Sequence, residues 1–167
     1  MSRLKIVIDL QYPWGRSGVP APVRVRAWVE AVLAAEQRDG AVSLRFVDEA
    51  ESESYNSQYR QRQKPTNVLS FPALTPPGLP PEAGAPPLGD LLICVPVVQR
   101  EAQEQGKAVI DHFAHMVVHG LLHLLGYDHI DAEQARLMEA RERSLLAVWG
   151  IADPYTIGAA TPSSATL

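Results

Sequence analysis

The segment His119-Gly-Leu-Leu-His123-Leu-Leu-Gly126-Tyr-Asp-His129 places three imidazoles at a spacing that can close on one metal ion. Residues four apart on a helix share a face, with Cβ atoms about 5–6 Å apart, so His119 and His123 form a two-point clamp. Gly126 falls where a helix can end in a left-handed conformation that other residues resist, turning the chain back to offer His129 as third ligand. Three neutral imidazoles leave the charge of a zinc ion uncancelled and one tetrahedral position free for water, whose pKa the ion lowers to about 7. That is a catalytic pattern, since structural zinc sites fill four positions and favour cysteine, and no cysteine lies nearby. A lone histidine on an apolar helix is ordinarily a hydrogen-bonded core residue. Burying several is costly unless each finds a partner, and a shared ion satisfies all three together. His115 lies one turn before His119 on the same face, but a straight helix spreads three such residues too far for one ion. It is therefore expected behind the site or in packing, and His112 only near the helix start.

Two histidines four apart also begin the H-E-x-x-H pattern of zinc metalloproteases. Here Gly120 follows His119, so the carboxylate that would take a proton from the activated water and deliver it to a leaving amine is missing. A phosphodiester makes other demands. The attacked group is anionic, and neutralising developing charge matters as much as proton transfer, a task for a guanidinium near the metal. Gly120 in mid-helix costs about 1 kcal/mol against alanine, which implies either close backbone approach or room left at the site.

The elements that must hold these residues can be read along the chain. Leu4 to Leu10 alternates as a strand, and a loop with Pro13, Gly15, Gly18 and Pro20 follows. Pro22 opens an amphipathic helix through Val25, Trp28, Val29, Val32 and Leu33, stopped by Asp39 and Gly40. Val42, Leu44 and Phe46 mark a second strand, Glu51 to Arg60 a polar helix or helical turn, and Val68 to Phe71 a third strand. Residues Pro72 to Pro87 hold seven prolines and two glycines, too many for a helix or central strand, so an exposed loop is expected there. Leu88 to Val95 is read as a fourth strand, and its unbroken apolar run, Leu91 to Val95, suits the middle of a sheet. Three helices follow: one opening at Pro96 and ending near Gly106, one from about Asp111 to Leu125 that is apolar nearly all round, and one capped by Asp131 with Gln134 three residues on. The middle one is the core helix. The Gly, Ala, Thr, Ser and Pro residues from 156 to 167 are expected to form a disordered tail beyond one domain spanning 1–155.

Composition narrows the function classes. The chain of 167 residues, 46% hydrophobic, is sized for one core. No apolar run approaches the roughly 20 residues that span a bilayer, and no secretory signal is visible, so a soluble cytoplasmic protein is expected. Cys94, the single cysteine, sits in an apolar run and is read as a small core residue. A net charge of -4 and a pI near 5.7 argue against gripping nucleic acid by bulk electrostatics, so RNA contact must be local or scaffolded.

Three segments in order along the chain resemble the YbeY family of bacterial rRNA maturation factors. They are Tyr59-Arg60 with the run Lys64 to Pro72, then Leu88-Gly89-Asp90 opening a strand, then the histidine segment through His129. The likeness runs from about residue 4 to 155, and H-G-x-L-H-L-x-G-Y-D-H is its most specific part. It implies an α+β fold: a mixed, roughly four-stranded sheet packed with about five helices, the metal site lying at the end of the buried core helix. It also implies one zinc ion per chain on His119, His123 and His129, and a single-strand-specific endoribonuclease. The implied substrate is the 16S rRNA precursor, cut in 3′-end maturation and ribosome quality control beside small ribosomal subunit components and the Era GTPase. Membranes and DNA are not expected partners. Arg60 matches the arginine that the family places near its metal, and its guanidinium suits phosphate binding and charge stabilisation. Arg62 and Lys64 extend the local positive charge, either to steer RNA or as a solvated run. Asp90 and Asp128 stand either behind metal-bound imidazoles or in turn and strand-start roles. Two other readings stay open: an assembly factor with a structural zinc and no cleavage of its own, and a zinc metalloprotease.

Overall fold

A computed structural model describes residues 3–60, 66–73 and 85–155. Their elements are β1 (Ile6–Gln11), α1 (Pro22–Ala35), β2 (Gly40–Val47), α2 (Glu49–Arg60), β3 (Val68–Pro72), β4 (Pro87–Cys94), α3 (Val95–Gln105), α4 (Val109–Leu124) and α5 (Ala132–Val148). The class is the expected one: a mixed sheet in the order β1-β2-β4-β3, with helices packed on it. β1 and β2 pair in parallel from Ile6↔Gly40 to Gln11↔Arg45, joined by α1 as the crossover that a parallel pair requires. β2 and β4 are also parallel, and β3 runs antiparallel to β4 from Val68↔Ile93 to Pro72↔Gly89.

β4 lies inside the sheet, and its side chains alternate between two clusters. Leu91 and Ile93 join the main core with α1 and α4, while Leu92 and Cys94 join Val47, Leu69 and Val97 in a smaller one. Cys94 is thus a buried core residue whose thiol burial pushes up. The prolines bounding the expected loop both belong to the sheet, Pro72 ending edge strand β3 and Pro87 opening β4, positions where a missing N–H is tolerated. The loop is therefore shorter than 72–87. Its residues 74–84 and the expected tail at 156–167 fall outside the described residues.

Helix α4 starts at Val109, slightly before the expected Asp111, and 11 of its 16 residues are buried. It lies against α1, α3, α5, β3 and β4, so the all-round apolar pattern reflects protein on nearly every side. Gly120 lets it settle onto the sheet. A Cβ there would come within 2.8 Å and 3.1 Å of the Leu91 methyls and 3.3 Å of Val68. Of the two meanings its sequence position allowed, close approach is the one realised. Gly89, at φ +138°, leaves room both for β3 and for α4: a Cβ there would lie 2.2 Å from the carbonyl oxygen of Phe71 and 3.0 Å from a Leu124 methyl. No helix among the described residues is long and apolar enough to cross a membrane.

Candidate metal centre

The site forms where α4 ends. The amide of Gly126 bonds the carbonyl of His123 at 3.0 Å, and that of Tyr127 bonds the carbonyl of Leu122 at 2.9 Å. This pair of bonds is a Schellman motif, with Gly126 at φ +106° as the residue past the cap. The chain reverses there, as the glycine predicts, and carries His129 back toward His119 and His123. The outgoing turn is pinned from two other elements. Tyr127 donates its hydroxyl to Glu36 at the end of α1 (2.9 Å), and Arg141 of α5 pairs with the same carboxylate. The carboxylate of Asp128 accepts from the amide of His129 at 2.7 Å, a turn-shaping role rather than support of an imidazole. Asp90 is an exposed residue of β4.

The rings of His119 and His123 lie 4.7 Å apart, those of His123 and His129 5.0 Å, and those of His119 and His129 5.8 Å. One ligand atom from each falls within 4.8 Å of the others. His119 and His123 are half-buried and His129 is exposed, so the cluster opens to solvent. The Nδ1 of His123 donates to the carbonyl of Tyr127 at 3.1 Å, and that of His119 to Glu142 at 3.0 Å. Each bond fixes one ring nitrogen as the donor and leaves the opposite Nε2 with a lone pair for a metal. Burial, followed by repulsion from His119 and His129, pushes the His123 pKa down and favours the neutral form that ligates.

Glu142, a residue that sequence reasoning did not single out, lies behind this cluster. It has no solvent exposure on α5 and accepts from His115 Nε2 at 2.6 Å, from His119 Nδ1 at 3.0 Å and from the hydroxyl of Tyr155 at 2.5 Å. Burial alone would raise its pKa, but the hydrogen bonds from His115 and His119 outweigh that and bring it down to about 2. An ionised carboxylate accepts only, so both histidines must donate to it. A signal was present in the sequence. Glu142 sits on the stripe of Met138, Leu145 and Leu146 that α5 buries, where a solvated charge has no place.

His115, His119 and Glu142 also bring ligand atoms within 4.8 Å of one another. Hydrogen bonding explains that group better. At zinc–ligand distances near 2.1 Å, two donor atoms only 2.6 Å apart would subtend roughly 75° at the ion, far from tetrahedral. His115 thus stands behind the site. His112 is more than a helix-start residue: it is 3% exposed and bonded at 2.8 Å to Glu101, which also accepts from Asn67 at 3.1 Å. This ties α4 and α3 to the entry of β3. Arg60 is the last residue of α2, and the role expected of it falls on a side chain outside the described residues, as do Arg62 and Lys64.

The family model described as Endoribonuclease YbeY matches residues 20–150. Curated relatives named "Endoribonuclease YbeY" include one from Halorhodospira halophila, 57% identical over 155 residues that cover 93% of this chain and 98% of the relative. Another, from Alkalilimnicola ehrlichii, is 54% identical and covers 90% of this chain and 91% of the relative. The solution structure of TM1509 from Thermotoga maritima shares the fold, with a TM-score of 0.55 at 24% identity over 90% of this chain and 99% of that one.

Proposed function

The chain belongs to the YbeY endoribonuclease family, and from that premise we propose that it is a zinc-dependent endoribonuclease whose ion is held by His119, His123 and His129. The observation that carries this reading is the convergence of three imidazoles, two of which already have Nδ1 committed to a hydrogen bond and Nε2 left over. The donor set fits zinc, being neutral, nitrogen-based and three in number among the described residues. When bound, the ion supplies a Lewis acid that activates water and polarises a phosphoryl oxygen. The protein's own part is to hold the ligands. Glu142 fixes the His119 tautomer, the Schellman turn delivers His129, and the Glu36 contacts keep that turn in place. Arg60 is assigned the phosphate, where a guanidinium can bind two oxygens and stabilise developing charge.

RNA is the substrate class. On the family resemblance, the enzyme acts on single-stranded regions of the 16S rRNA precursor in the cytoplasm, beside small ribosomal subunit components and the Era GTPase. The acidic net charge suits a substrate presented by such partners. A purely structural zinc is disfavoured by the half-buried to exposed ligands, since structural sites are closed. A protease is disfavoured by Gly120, whose α-carbon faces Leu91 and Val68 and so offers no place for a catalytic carboxylate.

The test is cleavage of a labelled single-stranded RNA by metal-loaded protein, with chelated protein, His123→Ala and Arg60→Ala prepared identically. Cutting by the intact protein alone is expected. Equal cutting by all four would identify a contaminant, and metal retention without any cutting would favour the assembly-factor reading.

A further inference from the structure

Glu142 is gripped by two groups from α4, His115 and His119, and by one group from elsewhere, Tyr155. A glutamate side chain has three rotatable bonds, so a carboxylate held only by the helix it supports could shift together with that helix. Tyr155 supplies an independent anchor. After the turn at Gly150 the chain folds back along α5, and Arg143 of α5 reaches Asp153 at 2.9 Å. The other oxygen of Asp153 accepts from the amide of Tyr155 at 2.8 Å. The Arg143 guanidinium lies over the Tyr155 ring at 5.4 Å, and the His115 ring meets that ring edge-on at 5.6 Å. Held by these contacts, the phenol points its hydroxyl at Glu142 Oε1, leaving Oε2 for His119.

We propose that Tyr155 is a positioning residue for the metal centre, donating to Glu142 so that Glu142 holds His119 with Nε2 toward the ion. Arg143 and Asp153 form the clip that keeps Tyr155 in place. The metal ligands are thus set partly from the segment that follows the last helix, one helix beyond α4 and the turn that carry them. This inference rests on the three-histidine reading above. It goes beyond that reading in giving a role to residues that are not ligands.

Cobalt(II) serves as the probe, titrated into full-length protein against a chromophoric chelator while its visible ligand-field bands are recorded. Wild type is expected to bind one ion per chain. Tyr155→Phe keeps the ring and removes the donor. It should still fold, and bind cobalt about three- to tenfold more weakly with altered bands, a smaller effect than the roughly 10–100-fold typical of a ligand's direct hydrogen-bond partner. Arg143→Gln, which leaves the hydroxyl but opens the clip, should weaken binding about twofold. Wild-type affinity and bands in Tyr155→Phe would overturn the proposal, as would a lower metal-free melting temperature with unchanged affinity. If Tyr155→Phe does not fold, Arg143→Gln decides: weakened binding supports the proposal and unchanged binding overturns it. Wild-type protein that binds no cobalt, or binds it equally well after His123→Ala, removes the three-histidine reading and this inference with it.

Discussion

Replacing Gly120 by alanine puts a methyl group 2.8 Å and 3.1 Å from the two methyl carbons of Leu91 and 3.3 Å from Val68. In an exposed helix that exchange would stabilise by about 1 kcal/mol, because glycine gives up the most backbone freedom. Here Leu91 has no solvent exposure and is packed between α4 and the strands, so it cannot swing clear. Overpacking of this kind costs about 1–3 kcal/mol, and subtracting the helix gain leaves a net loss of about 1 kcal/mol for alanine. Glutamate adds a charge in the same apolar seam and should cost more than about 3 kcal/mol. Urea denaturation of the metal-free protein measures both. A stabilised Gly120→Ala would refute the packing argument and restore the idea that the glycine leaves room at the site. A folded Gly120→Glu with new amide-hydrolysing activity would undo the exclusion of a protease.

Three other outcomes follow from the site and its supports. Glu142→Ala should lower zinc affinity about 10–100-fold, read by competition with a chelator, because His119 loses the acceptor that sets its tautomer; unchanged affinity would mean that the carboxylate serves packing alone. Gly126→Ala meets no atom within 4 Å, so its cost of about 1–2 kcal/mol is that of the positive φ alone. Chemical denaturation checks this, and a change under about 0.5 kcal/mol would argue that the turn readily adopts another conformation. Burial works to raise the Glu101 pKa, but hydrogen bonds from His112 and Asn67 hold it below the ordinary 4.5. Folding therefore favours the ionised form, and the resulting stability is complete above that ordinary value and lost as pH falls beneath it. Glu101→Gln should be less stable than wild type by about 1–2 kcal/mol at neutral pH, with the gap closing below 4.5 in pH-dependent melting; a gap that widened on acidification would refute the assignment.

What could be read in advance was whatever is local. The clamp of His119 and His123, the glycine that ends α4 and the Asp131 cap all depend on spacings of three or four residues, fixed by helical geometry before tertiary structure matters. The Asp131 side chain indeed accepts from the Gln134 amide at 2.8 Å. The central place of β4 was legible because a short unbroken apolar run suits a strand covered on both faces. The partners of the histidines were not legible, because they arrive from other elements. Glu142 and Glu101 each look like ordinary surface glutamates in polar helices until the buried stripe of each helix is traced through them. Tyr155 gives no periodic signal, since it follows the last helix in a short irregular segment. His112 does lie at the helix start, but its bond to Glu101 was illegible for the same reason, because Glu101 comes from α3 and its other partner Asn67 from just before β3.

The Schellman turn at Gly126 confines the three candidate ligands to the eleven residues from His119 to His129. Bringing together the ends of so short a stretch costs little chain entropy compared with ligands gathered from distant strands, since closure cost rises with the length of the loop. An unfolded chain therefore keeps the means to bind the same ion, with weaker geometry and without Glu142 behind it. Affinity for the unfolded state subtracts from what a ligand contributes to folding. Added metal should raise the unfolding temperature of this protein by less than its native affinity alone would give, and the difference measures what the rest of the fold adds to those eleven residues.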